Sequence, residues 1–257
     1  MNTRTTSGRD DLVTVVAIAT LAVCTTDFAH EAAGHGSACL MTGQHIMLLN
    51  NAFFKCSAFG LYTAAAGPLG NLIAGLLAFA VQPIIPARWP ALRLYALLVM
   101  AFSLFWEAGY LIQAMINDSG DSVFAYRELI GPENLAVRAV AVVVGLAAYF
   151  FFARMVMVCC NLFASTPGRL RRLLRTSWLT GVAAMVLAGS FYAPDRYGAI
   201  RDAGLSILAS FPLLFVRMAP QPPPEFAIHI VRSPGVIVLA LAVFVSFALT
   251  MGRGIIA

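Results

Sequence analysis

Positions 27–35 gather two histidines and two acids in an otherwise apolar run: Asp27-Phe-Ala-His30-Glu31-Ala-Ala-Gly34-His35, followed by Gly36. Two imidazoles about one helical turn apart can share a cation, and a glutamate beside them can take a proton from the attacking water. That combination is what a catalytic zinc site on a helix requires. The usual spacing is His-Glu-x-x-His, and here the second histidine comes one residue later. In a regular α-helix five residues turn the second imidazole about 140° from the first, against about 40° for four. A single π turn would absorb the extra residue, and Gly34 and Gly36 leave the backbone permissive. The rival reading is a buried hydrogen-bonded cluster, which must bear about 2.5–3.5 kcal/mol for each ionised group held inside a bilayer. Asp27, three residues before His30, either orients a ligand or sits neutral in the interior.

These residues lie in a chain of 257 residues that is 60% hydrophobic and 11% charged, with a mean hydropathy of +0.82. A soluble domain is about one quarter charged, and one core could not cover this much apolar surface. The chain therefore reads as an all-α, polytopic integral membrane protein, which excludes a soluble enzyme, a secreted disulfide scaffold and a nucleic-acid binder. Counted against roughly 20 residues per crossing, about six spans are expected: Leu12–Thr42, Gly60–Val81, Ala91–Ile116, Leu135–Leu162, Leu173–Ala193 and Gly235–Thr250. The first is long enough to be strongly tilted or interrupted near Gly34 and Gly36. Gly204–Met218, with Pro212 and flanking arginines, suits an interfacial or re-entrant piece, and Pro220–Pro224 a stiff connector. Three regions follow: a cytoplasmic tail at 1–11, a core at 12–131 that carries the polar cluster, and additional helices at 132–257.

The five cysteines are too few for a disulfide framework and read as packing residues. Arg4 and Arg9 before Leu12–Cys24 have the form of a signal peptide, but cleavage near Ala29 would fall just before the polar cluster, so the run is expected to be retained. Of 17 basic residues only Lys55 is a lysine. With six spans both ends share a side with Arg88, Arg93 and the cluster Arg169, Arg171, Arg172 and Arg175. This predicts cytoplasmic termini in an inner or plasma membrane.

Two further elements follow the His-Glu segment. Ala66-Gly67-Pro68-Leu69-Gly70-Asn71 opens the second span, and Asn117-Asp118-Ser119-Gly120-Asp121-Ser122 follows the third. In this order the three resemble the site-2 protease family of intramembrane zinc metalloproteases, over roughly residues 20–130. The first added element is similar to the family's Gly-Pro-x-x-Asn. The second corresponds to its Asn-x-x-Pro-x-x-x-Asp-Gly segment, without the proline and the final glycine; Asp121 fits that spacing better than Asp118. The resemblance implies that His30, His35 and Asp121 hold Zn2+, with Asp118 the substitute ligand. It further implies that Glu31 is the general base and later the acid, and that Asn71 binds extended substrate backbone. The implied substrate is a transmembrane helix that unwinds beside the metal. The alternatives are a zinc-binding homologue that binds or stabilises membrane proteins without cleaving them, and a membrane metalloenzyme acting on lipid. Glu107, deep in the third span, has three candidate roles: pairing with an arginine, holding a ligand histidine, or sitting protonated in the bundle.

Overall fold

The computed structural model describes residues 9–131, 134–163, 166–217 and 228–256. Helix α1 (Leu12–His30) starts where the Asp11 carboxylate accepts from the Thr14 backbone N–H, an N-cap that satisfies one of the helix's free donors. It passes without a break through a π turn, Glu31–Gly36, into α2 (Ser37–Met41). A short antiparallel hairpin follows, β1 (Ile46–Leu49) and β2 (Phe54–Cys56), with a bulge between Ile46 and Leu48. Then come α3 (Leu61–Val81), α4 (Pro90–Asn117), α5 (Asp121–Ile130), α6 (Leu135–Cys160), α7 (Pro167–Gly189), α8 (Arg196–Leu208) and α9 (Pro234–Phe247), which runs on through a second π turn to Gly252.

Among the described residues, five helical stretches are long and apolar enough to cross a membrane: Leu12–Met41, Leu61–Val81, Pro90–Asn117, Leu135–Phe163 and Pro234–Gly252. The sixth expected span lies in α7, but Arg169, Arg171, Arg172 and Arg175 occupy the first half of that helix and keep it out of this set. Helix α4 is central, with Leu97, Leu98, Phe102 and Phe105 fully buried. By contrast α3, α6 and α9 expose Ile73, Leu77, Val143, Phe150, Val238 and Leu241, as helices facing acyl chains do. One continuous apolar cluster joins α1 and α4 to α6, α7, α8 and α9, so the helices after residue 131 share the core of those before it.

The segment expected at Gly204–Met218 divides at Ala209. Its first part is the end of α8, and a 3-10 turn, Phe211–Phe215, packs against α4, α6 and α7. The Tyr149 hydroxyl donates to the Ala209 carbonyl at the break. The proposed connector Pro220–Pro224 lies outside the described residues.

The cysteine reading needs correction, because Cys39 and Cys56 form a disulfide that ties the end of α2 to β2. Cys24, Cys159 and Cys160 are buried and free. The pair was missed because the hairpin that brings position 56 back to position 39 has strands of only four and three residues.

Candidate metal centre

The π turn is what joins the two histidines. It winds more residues per turn than an α-helix, so a five-residue separation returns His35 to the side occupied by His30. Their rings lie 4.9 Å apart, nearly perpendicular, and both side chains are buried. Asp121 comes from the first turn of α5. Its Oδ2 is 3.7 Å from His30 Nε2 and 3.3 Å from His35 Nε2. One ligand atom from each of the three lies within 4.8 Å of the others. Donors about 2.1 Å from a tetrahedral zinc are about 3.4 Å apart, so the three fit such an ion, or another cation that accepts imidazole and carboxylate.

Each histidine is held by its other nitrogen. His35 Nδ1 is 2.6 Å from the Thr63 carbonyl, and its ring stacks on Phe54 of β2. His30 Nδ1 is 3.1 Å from Glu107 Oε1, and its ring stacks on Trp106. Asn71, fully buried, donates to the same Glu107 oxygen at 2.9 Å. Of the three roles open for Glu107, the structure therefore displays contact with a ligand histidine. Such outer partners fix which imidazole nitrogen faces the ion.

The Gly67-Pro68-Leu69-Gly70 segment works through absent side chains. A Cβ on Gly67 would fall 2.2 Å from His35 Nε2, and one on Gly70 2.4 Å from the Ala29 carbonyl oxygen. A Cβ on Gly34 would meet the Ala66 carbonyl oxygen at 2.5 Å. These glycines let the start of α3 lie directly against the histidine-bearing backbone.

The loop before α5 sends the two aspartates in different directions. Asp118 closes α4 in the left-handed region, φ +55, and its carboxylate faces Arg127 at 2.7 Å and Arg138 at 3.5 Å. Gly120, φ +96, sits where a Cβ would strike the Tyr110 hydroxyl at 2.5 Å. The chain thereby turns Asp121 inward, where Tyr110 donates to its carboxylate and accepts from its backbone N–H. Burial works to raise the Asp121 carboxyl, but hydrogen bonds and attraction from His30 and His35 outweigh it and hold the group below the usual carboxylate range.

All three ligand candidates open on a cavity of about 670 Å³. Glu31 lines it too, and its Oε2 is buried without a hydrogen-bond partner among the described residues. Asn71 does not line this cavity; its amide lies behind His30, against Glu107. The wall includes Phe54 and Lys55 from β2, Tyr110 from α4, and Arg201 and Asp202 from α8. Sequence reasoning missed Trp106 and Tyr110, whose only signal was their position one residue before and three after Glu107, and it did not bring α8 to the cavity. Asp27 is fully buried, with neither oxygen hydrogen-bonded among the described residues.

The chain matches no family model, no curated protein and no solved structure. The fold and the site define an α-helical membrane protein with a buried group of two histidines and one aspartate facing a cavity.

Proposed function

We propose that the chain is an intramembrane metallopeptidase of the site-2 protease type, in which His30, His35 and Asp121 hold Zn2+. The observation that carries the reading is the π turn, which brings histidines of irregular spacing to one carboxylate beside a cavity that also holds Glu31. Bound zinc would supply Lewis acidity towards a peptide carbonyl and lower the pKa of water. Glu31, with an oxygen that has no hydrogen-bond partner among the described residues, accepts the proton of the attacking water and returns it to the leaving amine. Glu107 and Asn71 keep the His30 Nε2 pointed at the ion, a role that replaces substrate binding for Asn71. Tyr110 and the carbonyl of Thr63 hold Asp121 and His35 in the same way. The substrate class follows from the bilayer: a membrane protein whose spanning helix is opened locally so that its backbone reaches the cavity.

We also read the orientation differently from the arginine count alone. The disulfide is of the kind kept in an oxidising compartment, which supports a hairpin and cavity mouth outside the cytoplasm. Residue 11 lies at the opposite end of α1, while Ile255 pairs with Leu49 of the hairpin. Residues 11 and 255 then lie on opposite sides of the membrane, in place of a shared cytoplasmic side.

The test of the function begins with elemental analysis of protein purified in detergent without chelator. Wild type is expected to carry about one zinc, His35→Ala and Asp121→Ala none, and Asp118→Ala the wild-type amount. Glu31→Gln is expected to keep the metal and lose cleavage of a helical membrane peptide. Metal-free wild type, or a Glu31→Gln variant of undiminished activity, would sink the proposal.

A further inference from the structure

At the far end of the bundle from the metal centre, the start of α7 and the chain leading into α1 enclose a second polar cavity of about 300 Å³. It is lined by Arg9, Asp10, Leu12, Gly168, Arg169, Arg172 and Leu173. We propose that it binds the phosphodiester headgroup of an anionic phospholipid in the leaflet on that side.

The charge on the cavity survives internal pairing. Asp10 and Arg169 neutralise each other through two hydrogen bonds of 2.7 Å. Arg169 is further committed to the Phe163 and Ile228 carbonyls, and Asp10 accepts from the Ile230 N–H. This bidentate pair forms a rigid floor. Arg9 and Arg172 also line the cavity, and among the described residues no carboxylate pairs with either. They leave two positive charges at one opening, and guanidinium forks match phosphate oxygens bidentately. Gly168, one residue inside the start of α7, has nothing within 4 Å of where a Cβ would stand. A phosphate can therefore approach the backbone N–H of Gly168, while those of Arg169 and Leu170 donate to Thr166.

Depth favours a lipid over a soluble phosphate. Helix α1 enters its apolar stretch at this level, and partly exposed Leu12 supplies an apolar wall at the opening on which a glycerol backbone would rest. Arg171 and Arg175, one helical turn apart, do not line the cavity, although they belong to the same basic run. The site thus differs from a diffuse positive surface that only sets orientation, and the difference can be measured.

The experiment is lipid retention by the full-length protein, followed by native mass spectrometry during stepwise delipidation and by titration of phosphatidylglycerol against phosphatidylcholine. Wild type is expected to keep one phosphatidylglycerol and release phosphatidylcholine. Equal retention of the two lipids overturns the proposal without any substitution. Arg9→Gln with Arg172→Gln is expected to weaken phosphatidylglycerol binding roughly thirtyfold, while Arg171→Gln with Arg175→Gln changes it less than threefold. Equal losses in the two double variants would mean unspecific charge and would overturn the site. Arg9→Lys with Arg172→Lys keeps the charge and is expected to retain phosphatidylglycerol over phosphatidylcholine. Inorganic phosphate at millimolar concentration should leave the lipid bound; displacement would assign the cavity to soluble phosphate instead.

Discussion

The shared oxygen of Glu107 gives this site a point of control outside its ligands. Oε1 meets both His30 Nδ1 and the Asn71 amide, so a change there reaches the metal only through the orientation of one imidazole. Glu107→Gln keeps size and hydrogen-bonding reach but exchanges the carboxylate for an amide. The charge that stabilises the protonated Nδ1 is lost, while the packing of α4 is not. Zinc affinity is expected to fall about 10- to 100-fold, with the thermal midpoint of the zinc-free protein close to wild type. Competition with a chromogenic chelator measures the first and a melting curve the second. Unchanged affinity would show that Glu107 is structural. At this scale much was legible: His30, Glu31 and His35 could be named because ionisable residues are rare in apolar spans, whereas Asp121, beyond the third span, was preferred to Asp118 only by the spacing of the resemblance. Trp106 and Tyr110 were not legible, since an aromatic residue in an apolar span has the same composition signal whether it packs against lipid or against a histidine. The role of Asn71 was hidden for a related reason. A glycine-proline-asparagine segment gives its place on α3 but not the neighbour its amide meets across the bundle.

The π turn is the element on which the site depends, and it can be tested by removal. A single extra residue in a helix is taken up locally, so the helix beyond it stays in phase. Ala33 is exposed, and deleting it leaves His30-Glu31-Ala-Gly-His, the spacing at which an ordinary α-helix puts both imidazoles on one face. The shortened protein is expected to keep zinc and its disulfide. An alanine inserted after Ala33 rotates His35 by a further 100° or so and is expected to abolish binding. Zinc content, read alongside the electrophoretic shift of the oxidised protein, reports both. Loss of zinc on deletion would mean that the longer spacing is required rather than absorbed. The irregular spacing was readable as a π turn because only one departure from the α-helix brings residues five apart together. The hairpin was not readable: strands this short carry almost no alternation, and β2 is fixed chiefly by its disulfide and by the stacking of Phe54 on His35. Nor was the true character of α7. Its apolar second half predicts a span, while four arginines in its first half tie that end to the basic surface.

For the whole molecule the governing feature is its asymmetry from end to end. The disulfide, the hairpin, α5, α8 and the cavity mouth lie at one end of the bundle. The Asp10–Arg169 pair and the turn with Arg88 and Arg93 lie at the other. The composition disclosed a membrane protein, but not this polarity, because an even count of spans passes over the fact that α8 packs beside the hairpin through Ala199 and Leu48, while Ser233, just before α9, donates to Thr14 at the other end of α1. Basic residues favour the cytoplasmic side and disulfides the opposite one, and the two rules agree only if the cavity opens away from the cytoplasm. The chain supplies its own probe, because Lys55 is the sole lysine and stands exposed on β2 at the cavity mouth. A membrane-impermeant amine reagent is expected to label Lys55 on intact cells, after permeabilisation of any outer envelope, and to spare it in inverted vesicles. Arg88→Lys places an exposed lysine at the opposite end, where labelling should be confined to inverted vesicles. Peptide mapping separates the two positions within one sample. The reverse pattern would put the hairpin in the cytoplasm, where a reducing environment would open the disulfide and free the strand that holds Phe54 against His35. In the proposed peptidase, the labelled side is then also the side from which water and the exposed part of a substrate would reach Glu31, and on which a cleaved extramembrane fragment would be released.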